Sequence, residues 1–434
     1  MSGPQGATAG PGAPGAVPRS RLIVGTRRPR PPALGEGRDG WVFALDDDPS
    51  LVLKVFRGPK EELSARLYAL SEQGQRLSGS AGGSQPAAWP AELILNEDGE
   101  VGGYLMRRYG QPAHHRLEAL FAPVTRQEYF PRADWKFLAG TARNLAAIVA
   151  GLHADPAEFA VGDLSPANIV IDANGYVTLL DTDSMQFTDL RTREMFPATG
   201  HTPSYAPPEL LTLDFPRSAL TDNFSLAVIV LQLLLCGEHP FSGQPADGSE
   251  AQLADNIKEA RSHLIGDGLV RLPRVALTAD VLPPAIRAMA VSAFRDGRLD
   301  VRQRPTARQW TAALDEMIAG ARRCPAGHSF AADVGECPWC ERLAVGLPDP
   351  FGKALPADYE PTARARAAIA AAAARTPAPP TVTIPGQPGQ PASQVPVASE
   401  PSVPARRRSP ALAVVLIALA VLVLVLVIIR LAVH

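Results

Sequence analysis

The run Val161-Gly162-Asp163-Leu164-Ser165-Pro166-Ala167-Asn168-Ile169-Val170-Ile171-Asp172 places an acid and an amide five residues apart, directly before a β-branched run. Eighteen residues after Asp163 comes Asp181, at the end of the apolar stretch Tyr176-Val177-Thr178-Leu179-Leu180. These are the parts a phosphoryl-transfer site needs: one carboxylate orients a hydroxyl, while an amide and a second carboxylate hold Mg²⁺. With 434 residues, 46% of them apolar, two or three domains can form around such a site. A formal net charge of −2 supplies no basic field, so no nucleic-acid partner is expected.

Upstream, residues 1–20 are mostly Gly, Pro, Ala and Ser and are expected to be disordered. The segment Leu34 to Phe43 contains G-x-G-x-x-G-x-V as Gly35, Gly37, Gly40 and Val42. A dinucleotide loop would run into a helix, but these glycines run into the strand-like Trp41-Val42-Phe43-Ala44-Leu45. A turn over 46–50 and a second strand, Leu51-Val52-Leu53-Lys54-Val55-Phe56, complete a hairpin whose backbone N–H groups can close over phosphates. Lys54 is the lone charge in that apolar strand and needs an anion. A helix is expected from Pro59 to about Gly74, with Glu72 preferred over Glu62 as the partner of Lys54. A further hairpin over 91–106, a hinge over 106–111 and a helical region over 133–153 follow.

Taken in order, the glycines, Lys54, Asp163 to Asn168 and Asp181 resemble the motifs of a eukaryotic-type (Hanks-like) Ser/Thr protein kinase domain, over about Arg30 to Ile318. Ala206-Pro207-Pro208-Glu209, Asp222 and Arg304 continue the resemblance. The Gly-Asp-Leu-Ser-Pro loop is most similar to divergent bacterial kinase-like proteins. The resemblance implies an α+β, two-lobed kinase-like fold over 21–320, with a β-rich N-lobe at about 30–108 and a helical C-lobe at about 109–320. It implies ATP and Mg²⁺ (or Mn²⁺) as cofactors and protein substrates as partners. Asp163 would orient the hydroxyl, Asn168 and Asp181 would hold the metal, Gly35, Gly37 and Gly40 would cover the phosphates, and Lys54 would position them. Glu209 and Arg304 would pair, and Asp222 would anchor the catalytic-loop backbone.

The departures from that pattern are local. Val161-Gly162 stands where His-Arg is usual, Ser165 where a lysine is usual, and Asp181-Thr182-Asp183 replaces Asp-Phe-Gly. Without that arginine, the loop over 184–205 is not expected to switch by phosphorylation in the usual way. Asp183 reads as a second metal ligand or as a turn cap. The alternatives to an active Ser/Thr protein kinase are a nucleotide-binding pseudokinase scaffold and a small-molecule kinase.

Cys324, His328, Cys337 and Cys340 form C-x3-H-x8-C-x2-C, a closed set of four ligands for a structural Zn²⁺ in a ribbon-like module over 321–345. The segment 346–410 reads as a Pro/Ala-rich disordered linker. Ala411 to Ile429 is an uninterrupted apolar run, expected as a transmembrane helix over 411–430. Arg406-Arg407-Arg408 on its N-terminal flank then predict a single-pass, tail-anchored protein at the cell membrane, with the catalytic part in the cytoplasm.

Overall fold

The structure, a computed structural model, describes residues 29–370 apart from 38, 59–60, 80–84, 96–98, 214, 267, 364 and 368. Five antiparallel strands open the chain: β1 (Pro29–Glu36), β2 (Gly40–Leu45), β3 (Leu51–Phe56), β4 (Glu92–Leu95) and β5 (Val101–Arg107), in spatial order β1-β2-β3-β5-β4. Side chains alternate across the sheet. Phe43, Leu45, Leu53, Val55, Ile94 and Leu105 pack together on one face. Val52, Tyr104 and Met106 join the main core with Leu67 and Leu70 of helix α1 (Glu61–Gly79). Lys54 is registered between Val42 on β2 and Tyr104 on β5. The strand period thus carries it to the same face as Val52, under α1.

Helix α1 runs past Gly74, where the sequence had placed its end. A Cβ at residue 74 would stand 2.6 Å from the Cβ of Trp89, so this glycine permits close packing and does not stop the helix.

The second lobe is helical around a small sheet, β6 (His114–Arg116), β7 (Ile169–Asp172) and β8 (Val177–Leu179). Its main helices are α2 (Pro123–Tyr129), α3 (Trp135–His153), α4 (Pro208–Thr212) and α5 (Ala219–Leu234). Asp134 caps α3 by accepting from Phe137 N at 3.0 Å. Helix α5 is buried from Thr221 to Leu234; its run from Leu226 to Leu234 is apolar but for Gln232, while the buried Asp222 near its start takes polar partners.

Beyond the helix Ala307–Ala319, a hairpin (Arg322–Arg323 with Ser329–Phe330) and the helix Pro338–Ala344 dock on this lobe. Trp339 is fully buried and donates to Ser329 O at 2.9 Å. Ser329 Oγ donates at 2.6 Å to Asp134, the carboxylate that also caps α3. Residues 350 and 351, inside the span expected as a linker from 346, dock on this lobe. Phe351 packs edge-on to Trp339, and the buried Arg126 donates to Pro350 O at 2.8 Å.

The expected membrane localisation is corrected. No helix among the described residues is long and apolar enough to cross a membrane. The run 411–430 on which the tail anchor rested lies outside the described residues, as do the N-terminal 1–20 and the linker from 371 to 410.

Candidate active site

The loop from Val161 to Asn168 is fixed from below by α5. Asp222 accepts from Val161 N at 2.6 Å and from Gly162 N at 2.9 Å, and it meets His153 Nε2 at 3.0 Å. Two backbone N–H groups on one buried carboxylate set the direction in which the next residue, Asp163, leaves the loop. Gly162 has φ +76°, and a Cβ there would lie 2.4 Å from the Cβ of Ala198. Any side chain at 162 would collide with Ala198 and strain the positive φ, so this position requires glycine.

Asp163 Oδ1 accepts from Thr202 N at 2.8 Å. Asn168 Nδ2 reaches Asp163 Oδ2 at 3.3 Å and Asp163 O at 3.2 Å. Ile169 pairs with Leu179 in the β7–β8 register, and Leu180 N donates to Asn168 O at 2.8 Å. The hairpin therefore carries Asp181 to the same end of the sheet as Asn168. Asp181 itself is left-handed, with φ +56°.

Lys54 Nζ donates to Asp181 Oδ1 at 2.6 Å and to Asp183 at 2.7 and 2.9 Å. Burial of Lys54 lowers its pKa, but Asp183 and Asp181 outweigh that and leave it raised, so the ammonium stays charged. Tyr104 Oη donates to Asp183 Oδ1 at 2.7 Å, and burial beside this carboxylate pushes the phenol well above its usual range. The expected Lys54–Glu72 pair is not formed. Two helical residues turn about 200°, so Glu72 points away from the buried Leu70 and is exposed. The position on α1 that faces the site is Arg66. It is buried and donates to the carbonyls of Asp183 (2.7 Å), Pro197 (2.8 Å) and Met185. Thr182 is fully buried and donates to Ala88 O at 3.1 Å.

Above the site, Gly37 N donates to Gly40 O at 2.9 Å, closing the β1–β2 turn. Gly40 is demanded by the sheet, because a Cβ there would stand 2.0 Å from Val55 O. A Cβ at Gly35 would meet nothing within 4 Å. The protein's own packing therefore does not ask for glycine at 35. Farther down, Arg304 grips Glu209 at 2.6 and 2.8 Å and also donates to Leu220 O at 3.0 Å.

A second cluster lies in the docked module. Cys324 Sγ stands 3.5 Å from His328 Nδ1 and 3.7 Å from Cys340 Sγ. His328 Nδ1 lies 3.8 Å from Cys337 Sγ and 3.5 Å from Cys340 Sγ. A tetrahedral zinc, with bonds of about 2.3 Å to sulfur and about 2.0 Å to nitrogen, requires edges of roughly 3.5–3.8 Å. The donor set fits the ion. Burial raises all three thiols; hydrogen bonds from His328 and its neighbours pull only Cys324 down, to about 7. His328 Nε2 approaches Asp349 at 3.2 Å, an outer carboxylate of the kind that orients a ligating imidazole.

Sequence reasoning does not find Arg66 or Tyr104 as site residues, and it raises Asp183 as a metal ligand or turn cap but not as the partner of Lys54. The signal for Arg66 was present: it lies at i+3 from Leu63 and i−4 from Leu70, inside the apolar stripe of α1. For Asp183 the signal was its spacing, two residues beyond Asp181, with a buried lysine short of a partner.

Residues 115–311 match the family model described as protein kinase domain. That span holds Asp163, Asn168, Asp181, Glu209, Asp222 and Arg304 but stops short of Lys54 and the glycines. The chain is similar to protein kinase YegI of Escherichia coli K12, 30% identical over 326 residues, which is 71% of this chain and 47% of that protein. The serine/threonine-protein kinase SCH9 of Candida albicans is 29% identical over 204 residues, 47% of this chain and 21% of that protein. The chain thus spans about half the length, or less, of the curated relatives it matches. Residues 115–311 match the protein kinase domain, and the strand-rich lobe and helical lobe of this chain fit the two-lobed kinase fold.

Proposed function

We propose that the chain transfers the γ-phosphoryl group of ATP to Ser or Thr hydroxyls of protein substrates. The observation that carries this reading is the placement of Asp163. One of its oxygens is fixed by Thr202 N, the other lies beside Asn168, and its backbone is aimed by Asp222. So held, Asp163 orients the incoming hydroxyl and takes its proton. Asn168 and Asp181 are the residues that would hold Mg²⁺ or Mn²⁺, which when bound neutralises charge on the phosphates. Lys54 would position the nucleotide phosphates, and Gly35, Gly37 and Gly40 would let the backbone close over them. Ser165 leaves the site one cation short of the usual set, so one γ-phosphate contact is absent. The segment ending at Glu209, tied to Arg304, supports a protein substrate over a small molecule.

The test is transfer of label from γ-labelled ATP with Mg²⁺ to the chain itself or to a generic protein substrate. Binding of nucleotide without transfer would move the reading to a nucleotide-binding scaffold.

Cys324, His328, Cys337 and Cys340 hold a structural Zn²⁺ in this reading. All four positions are filled by protein, so none is open for catalysis.

A further inference from the structure

We propose that Asp183 is the positioning residue for Lys54, and that the carboxylate aiming this lysine comes from the activation segment and not from helix α1. The inference rests on the nucleotide reading above.

Three observations converge on it. The first is the bond itself. Both oxygens of Asp183 lie within 2.9 Å of Lys54 Nζ, and the pair is buried on both sides. An ammonium has three donors. Asp181 takes one and Asp183 a second, shared between its two oxygens, so a third remains for a phosphate. The second is the support behind Asp183. Tyr104 Oη holds the same oxygen, Oδ1, at 2.7 Å, and Tyr104 faces Lys54 across the β3–β5 register. The carboxylate is therefore fixed relative to the strand that carries the lysine. The third is the face of α1. The residue it turns inward is a cation, Arg66, bound to the backbone carbonyls of Asp183 and Met185 at one end of the segment and Pro197 at the other. Arg66 cannot pair with Lys54. It holds the loop that carries the acid which does. Compared with a helix-borne glutamate, the acid and the helix have exchanged tasks: the helix clamps the segment, and the segment aims the lysine.

Two consequences follow. A swing of α1 would not break an ion pair of Lys54 directly; it would first have to release three carbonyls. The second concerns Asp183 itself: Oδ1 is shared by Lys54 and Tyr104 and Oδ2 faces Lys54, so a metal or a backbone N–H would have to compete with the ammonium for this carboxylate.

The experiment is a double-mutant cycle on the full chain. It measures the dissociation constants of Mg·ATP and of adenosine for wild type, Asp183→Asn, Lys54→Met and the double variant. Asp183→Asn should weaken Mg·ATP roughly ten- to hundredfold, the range for a hydrogen bond to a charged group. Adenosine, which has no phosphate for Lys54 to meet, should bind as before. In the Lys54→Met background the effect of Asp183→Asn on Mg·ATP should vanish. Tyr104→Phe, a milder change, should move Mg·ATP in the same direction by less. An Asp183→Asn protein that binds Mg·ATP as well as wild type, or more tightly, overturns the proposal while leaving the nucleotide site intact. So does a loss that persists without Lys54, or one that strikes adenosine equally. A wild-type protein that discriminates between neither ligand nor buffer overturns the nucleotide reading and this proposal with it.

Discussion

His239 shows how a single buried residue makes stability depend on pH. Its Nε2 lies 3.0 Å from Ser204 O, and its Nδ1 accepts from Phe241 N at 3.1 Å. Only the neutral ring with its proton on Nε2 satisfies both. Burial accordingly lowers its pKa from 6.5 to about 4. The unfolded chain then binds a proton that the fold refuses between those values. Stability is therefore unaffected above about pH 6.5 and falls as pH drops toward 4. From pH 7.5 to 5.0 this one group should cost about 2 kcal/mol, read from urea midpoints. His239→Gln should flatten that part of the profile. Arg304 makes a second test at this scale. Its bidentate grip on Glu209 is almost wholly buried, so Arg304→Ala strands a carboxylate and should cost about 3–5 kcal/mol. A loss below about 1 kcal/mol would show that Glu209 finds another partner.

At the scale of elements, what the sequence made legible depended on whether one strand or loop carried its own chemistry. The hairpin that presents the glycines, β3 with Lys54, the loop Asp163 to Asn168 and the helix that anchors it could each be read locally, because their spacing is set by the period of one element. The partner of Lys54 could not. Choosing between Glu72 and Asp183 needs the rotation of α1 about its axis, and tertiary packing decides that by turning Arg66, Leu67 and Leu70 inward. The end of α1 was misplaced for a related reason. A glycine that relieves a clash with Trp89 looks, in sequence, the same as one that stops a helix. The cysteine module was legible as a ligand set, but the residues that dock it, Ser329, Trp339 and Phe351, carry no motif. If zinc organises that element, chelation should expose Trp339 and shift its fluorescence to the red, and metal analysis of the untreated protein should find about one zinc per chain. A metal content near zero in reducing, chelator-free buffer would remove zinc from the account.

At the scale of the whole molecule, the described chain is two lobes with the chemistry at their junction. The strand-rich lobe contributes Lys54 and Tyr104, and the helical lobe contributes Asp163, Asn168, Asp181 and Asp183. Arg66 and the Lys54 cluster cross from one to the other, and a further bridge runs from Arg76 on α1 to Asp155 at 2.6 Å. The docked module adds a third body to the helical lobe, on the side of Arg126 and Asp134. The claim at the centre of this arrangement is that Asp163 handles the proton of the incoming hydroxyl, and Asp163→Asn tests it most directly. With γ-labelled ATP and Mg²⁺, the wild-type chain should label itself or a protein substrate. Asp163→Asn should bind Mg·ATP as wild type does and lose transfer by at least two orders of magnitude, the scale of general-base catalysis at about 10²–10⁴-fold. An Asp163→Asn chain that transfers label at the wild-type rate would contradict the account.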